Sequence, residues 1–63
     1  MESSRAFEVG DLVSEVAPRK AYRTGIVRVT YVIDGEQRCV VEFEDGSELV
    51  FFAHELTLVQ SAS

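Results

Sequence analysis

Two Asp-Gly pairs, Asp34-Gly35 and Asp45-Gly46, bracket the run EQRCVVEFE (36–44) and restrict this chain more than any other feature. Asp-Gly set between alternating apolar residues signals a hairpin, because the tightest hairpin turns need positive φ and glycine takes it without a steric penalty. A strand held between two such turns pairs with the strand before it and with the strand after it. The run alternates accordingly: Cys39, Val41 and Phe43 fall on one face, and Arg38, Val40, Glu42 and Glu44 on the other.

The neighbouring segments read as strands too. In GIVRVTYVID (25–34), Val27, Val29, Tyr31 and Ile33 share what is expected to be the core face, with Ile26, Arg28, Thr30 and Val32 opposite, and DGEQ forms the hairpin loop. ELVFFA (48–53) places Glu48, Val50 and Phe52 on one face and Leu49, Phe51 and Ala53 on the other, so either choice leaves large apolar side chains outside. Upstream, DLVSEVA (11–17) is a short strand preceded by Gly10 and ended by Pro18, which cannot donate to a sheet ladder. HEL (54–56) suits one helical turn, and TLV (57–59) a closing strand, since Thr57 and Val59 are β-branched. The expected fold is all-β: a small five-stranded SH3-like barrel with one 3-10 turn before the last strand. It spans residues 7–59, with flexible tails at 1–6 and 60–63. A two-layer sandwich needs more strands, and curling also limits exposed edges.

A chain of 63 residues buries about 60 % of the surface its unfolded form exposes, which leaves no room for an enclosed active site. Cys39 has no second cysteine to pair with, and the one histidine, His54, has no partner set spaced for zinc, so no metal and no cofactor is expected. By alternation Cys39 is a buried inert thiol, and His54 a turn residue. There is no nucleophile with a base and no Gly-x-Ser-x-Gly, and a noncatalytic protein is expected. No apolar run approaches the roughly 20 residues that cross a bilayer. The opening MESSRAFEVG lacks the basic-then-apolar plan of a signal peptide, and the expected compartment is the cytoplasm.

The net charge of −5 opposes general attraction to phosphate backbones and anionic lipid. Its distribution is uneven. The segment APRKAYRTGIVR (17–28) holds Arg19, Lys20, Arg23 and Arg28 and no acid, whereas 34–55 holds Asp34, Glu36, Glu42, Glu44, Asp45, Glu48 and Glu55 against Arg38 alone. The acidic hairpin would steer a basic partner, and the basic loop is the one feature suited to nucleic acid.

FEVGDLV, TGIV, VVEFEDGSE and the later EL resemble the Tudor-like and KOW-like branch of SH3-like barrels. The matching residues are Gly10, Asp11 and Val13; Gly25 and Val27; Val41, Phe43, Asp45 and Gly46; and Glu55 with Leu56. They span nearly the whole folded region, and each is a packing or turn signal. What the resemblance implies is a bacterial interaction module docking RNA polymerase or a DNA-binding regulator in transcription or DNA repair. The expected contacts are Val40, Glu42, Glu44, Asp45, Glu48, Val50, Phe51 and Phe52, with a protein partner that has a basic surface. The alternatives are nucleic-acid binding through Arg19, Lys20, Tyr22, Arg23 and Arg28, and a methylated-residue reader built on an aromatic cage of Tyr22 and the phenylalanines. A monomer or a weak homodimer is expected.

Overall fold

The computed structural model describes residues 6–16 and 23–62. Arg19, Lys20 and Tyr22 lie outside those residues. The chain is all-β, with strands β1 (Leu12–Glu15), β2 (Thr24–Ile33), β3 (Glu36–Phe43), β4 (Glu48–Phe52) and β5 (Leu56–Gln60), and a 3-10 turn, Ala53–Glu55, before the last strand. All pairings are antiparallel in one sheet of order β4-β3-β2-β1-β5. The sheet curls round its core without closing. Its edge strands β4 and β5 are joined through the 3-10 turn and are not paired to each other, so the barrel is an open one.

Both Asp-Gly pairs make the expected hairpins, by different means. At the first, Ile33 pairs with Glu36, and Asp34 and Gly35 both take positive φ, 54° and 78°. The loop is therefore two residues long, tighter than the expected DGEQ, and its handedness matches the twist of the strands. At the second, the Gly46 N–H donates to the Phe43 carbonyl and the Phe43 N–H to the Ser47 carbonyl, with Gly46 at φ 88°. This is a three-residue loop closed by a glycine bulge.

Phe7, Val13, Val27, Cys39, Val41, Phe43 and Leu56 form the core, and Phe51, Ala53 and Leu58 pack against it. Three of these, Cys39, Val41 and Phe43, are the inward set of β3 expected from alternation. Burial pushes the Cys39 thiol above its ordinary value, and the nearby charge of Asp11 adds to the effect.

β2 departs from its expected pattern. Val27 is fully buried, but Val29, Tyr31 and Ile33 are 49 %, 37 % and 42 % exposed. The cause is a β-bulge: Val27 pairs with Val41 and Val29 with Val40, so Arg28 is an extra residue in β2. A bulge moves every later side chain to the other face. Beyond it, Thr30 sits opposite buried Cys39, while Val29 and Tyr31 turn outward beside Val40 and Arg38.

The end expected to fray is also held. β5 continues through Gln60, and the Ala62 N–H donates to Asp11 Oδ1 at 2.9 Å. The other carboxylate oxygen, Oδ2, accepts from the Glu8 N–H at 2.9 Å. Near the start of the described chain, Gln37 clamps Phe7, donating to its carbonyl and accepting from its N–H at 2.9 and 3.0 Å.

Candidate interaction surface

Strand pairing sorts the outer face of β2, β3 and β4 into rows. One row is Val29–Val40–Val50, the next is Tyr31–Arg38–Phe52, and on the far side of the bulge lies Ile26–Glu42–Glu48. The middle row is valine throughout. Val29 and Val50 are about half exposed, Val40 less so. An apolar strip therefore crosses three strands in the open, bordered on one side by carboxylates.

Two features of the strip do not serve the fold. Glu42 stands directly opposite Glu48, and like charges facing each other across a sheet are destabilising. Arg28, the bulged residue, places Nε 3.2 Å from Glu42 Oε1, but both side chains are well exposed, and such a pair offsets little. In the second row, the Arg38 guanidinium lies 4.8 Å from the Phe52 ring centroid, and the His54 ring stacks on Phe52 at 5.5 Å. Arg38 Nε is buried there without a hydrogen-bond partner.

The expected contact residues divide between the faces. Val40, Glu42, Glu48, Val50 and Phe52 share the outer face, and Glu44 and Asp45 sit exposed in the β3–β4 turn. Phe51 lies on the inner face, edge-on to Phe43 with centroids 6.2 Å apart, and packs against the core. It is not part of the strip. Val29, Tyr31 and Arg38 are, and sequence alternation misassigned the first two to the core.

The acidic tip of the turn is hydrogen-bonded to its own backbone and to Ser47. Asp45 Oδ1 accepts from the Ser47 N–H at 2.9 Å and from the Ser47 hydroxyl at 2.7 Å. These bonds, backbone first, and then the charge of Arg23 hold the Asp45 carboxyl below its ordinary value. A depressed carboxyl stabilises the folded turn at pH above the unfolded value and loses that contribution as pH falls through the folded one. The Ser47 amide resonance is accordingly expected to titrate below the usual carboxylate range, and Asp45→Asn to abolish that titration. A Ser47 midpoint at or above the ordinary Asp value would contradict the geometry.

Two cations of the basic segment make contacts within the chain. The Arg23 guanidinium lies over the Phe43 ring, 4.0 Å from its centroid, and its Nη2 is 3.4 Å from Ser47 Oγ. Arg28 is paired with Glu42. Phe43, one wall of the expected aromatic cage, is 5 % exposed and carries Arg23 on its ring.

A cleft of about 570 Å³ opens at the gap in the barrel, lined by Phe7, Glu36, Gln37, Phe52, Ala53, His54, Leu56, Thr57 and Leu58. Gln37, one of its polar lining groups, is already committed to the Phe7 backbone. Among the described residues there is no group of three or more His, Cys, Asp or Glu side chains able to hold a metal ion, and no helix long and apolar enough to cross a membrane. No family model, characterised protein or solved structure matches this chain.

Proposed function

We propose that this chain is a noncatalytic, Tudor-like interaction module whose outer sheet face docks a protein with a basic surface around an apolar patch. The observation that carries the reading is the valine row Val29–Val40–Val50 lying beside the unfavourable Glu42/Glu48 pair. Exposed contiguous apolar surface on a small domain is a recurrent mark of a contact site. Like charges held face to face find their relief in a basic partner. Glu44 and Asp45 extend the same negative field along the turn.

The partner class proposed is RNA polymerase or a DNA-binding regulator in transcription or DNA repair, met in the cytoplasm, a direction supported by the resemblance to Tudor-like modules and compatible with the basic surfaces of such proteins. Direct nucleic-acid binding is less favoured, because Arg23 and Arg28 are engaged by Phe43 and Glu42 and flank the acidic turn.

Glu48→Lys separates function from stability. It replaces a repulsive cross-strand pair by an attractive one, and is expected to raise stability by about 0.5 kcal/mol. The same change should reduce partner capture about tenfold by reversing the charge at the rim of the strip. Photo-crosslinking side chains at Tyr31 and Val50, with Val59 on β5 as control, check this in cells of the source organism. The expected result is one polypeptide captured from both outer-face positions, lost in the Glu48→Lys background. Equal capture from Val59, or capture of nucleic acid alone, would overturn the reading.

A further inference from the structure

We infer that two copies of this chain associate through their β4 edges, antiparallel about a two-fold axis at Val50. The inference is independent of the proposed function, since it concerns the strand's edge and the protein alone. Among the described residues β4 pairs with β3 on one side only. In an antiparallel ladder, hydrogen-bonded and non-bonded pairs alternate. The Phe43 N–H to Ser47 carbonyl bond sets that phase, so Leu49 and Phe51 bond to β3, while the backbone groups of Glu48, Val50 and Phe52 point to the open edge. The Phe52 N–H agrees with this phase: it points to the same edge, where Glu55 Oε1 accepts it at 2.8 Å, so the edge groups open to a second strand are those of Glu48 and Val50.

An unprotected edge is a template for another strand, and natural edges are commonly blunted by lysine, proline or a bulge. Here the β4 segment ELVFF has none of the three, and Leu49 and Val50 are 46 % and 55 % exposed. What selects a second copy is charge complementarity. With Val50 opposite Val50 of the second copy, Glu48 falls opposite Phe52 of that copy, and the guanidinium beside that ring is Arg38, whose buried Nε has no acceptor among the described residues. Each copy thus offers the Glu48 carboxylate, without an ion-pair partner among the described residues, at one end of β4 and the Arg38 guanidinium at the other, and only the antiparallel arrangement brings them together. The same pairing joins the two Val29–Val40–Val50 rows end to end into one apolar band.

Val50→Pro and Val50→Lys test the edge, and exchange of Glu48 and Arg38 tests the pairing. The Val50 N–H points away from β3, so proline there removes intermolecular bonds and leaves the β3–β4 ladder whole. Sedimentation of the purified protein from about 10 µM to about 1 mM is expected to show a reversible monomer–dimer equilibrium, weak as befits an interface below about 1,200 Å². Either Val50 variant should sediment as a monomer throughout. Glu48→Arg or Arg38→Glu alone should weaken the dimer about tenfold, and the double exchange should restore it. A wild-type protein that remains monomeric across the range overturns the inference. So does a dimer indifferent to Val50→Lys, and so does a double exchange no tighter than the singles; neither result depends on Val50→Pro folding.

Discussion

Gly25→Val is expected to leave the chain unfolded. Gly25 is buried in β2 opposite Phe43, and a β-carbon built on it would lie 2.5 Å from Val41 Cγ1, 2.8 Å from the Glu42 carbonyl oxygen and 3.1 Å from Phe43 Cδ1. None of these can withdraw cheaply. Val41 is fully buried and stiff at χ1, and the Glu42 oxygen is backbone of the paired strand. Overpacking a filled core with even one or two methyl groups costs about 1–3 kcal/mol and more where the neighbours are fixed. A domain of this size has only about 3–9 kcal/mol in total. Gly25→Ala, which adds one carbon, should therefore lower the urea midpoint markedly, and Gly25→Val, which adds three against fixed neighbours, should remove the cooperative urea transition. A Gly25→Val protein that unfolds near the wild-type midpoint would show that β2 and β3 are not packed as described.

Asp11→Ala is expected to cost about 2–4 kcal/mol, from two hydrogen bonds to a charged group at a buried position. Asp11 is 4 % exposed, and its carboxylate joins the Glu8 N–H ahead of β1 to the Ala62 N–H beyond β5. Its main chain takes part as well, donating to the Glu8 carbonyl and accepting from the Val27 N–H, each at 3.0 Å. Loss of the side chain should release β5, which as an edge strand borders only β1. Amide exchange at Leu58 and Ala62 should then accelerate before that at Val41. Asp11→Asn keeps one acceptor oxygen and presents an NH₂ group to the other donor, so its cost should fall between wild type and alanine. A loss under about 1 kcal/mol for Asp11→Ala would mean that β5 is secured by its ladder alone.

The two glycine turns, the inward face of β3, the 3-10 turn and the five-strand count could all be read from local residue types, because each depends on near neighbours in sequence. β2 could not be read by alternation alone. Simple counting back from the Asp34-Gly35 turn would place Arg28 and Ile26 on the core face opposite Val41 and Phe43. Burying Arg28 is prohibitive, and the chain escapes by bulging at that residue, which lets Val27 face inward below it and Thr30 above it. The conflict between the turn's register and the arginine is visible in the sequence once both strands are paired on paper. The Asp11–Ala62 tie has no comparable signal, since it joins residues at opposite ends of the chain. The outer strip was half legible for the same reason. Val40 followed from alternation on β3, and alternation grouped Val50 with Phe52 on β4 without saying which face was outside, whereas Val29 and Tyr31 joined them only through the bulge.

The central claim is that this outer face, and not the basic segment or the cleft, is where the partner docks. A chemical-shift map of the isotope-labelled protein tests it most directly, with the polypeptide captured from Val50 added stepwise at about physiological salt. The predicted result is a set of shifts at Val29, Tyr31, Val40, Glu48, Val50 and Phe52, with Val13 and Val59 unmoved. Shifts confined to Arg23–Arg28, or centred on Phe7, Leu56 and Leu58 around the cleft, would contradict it.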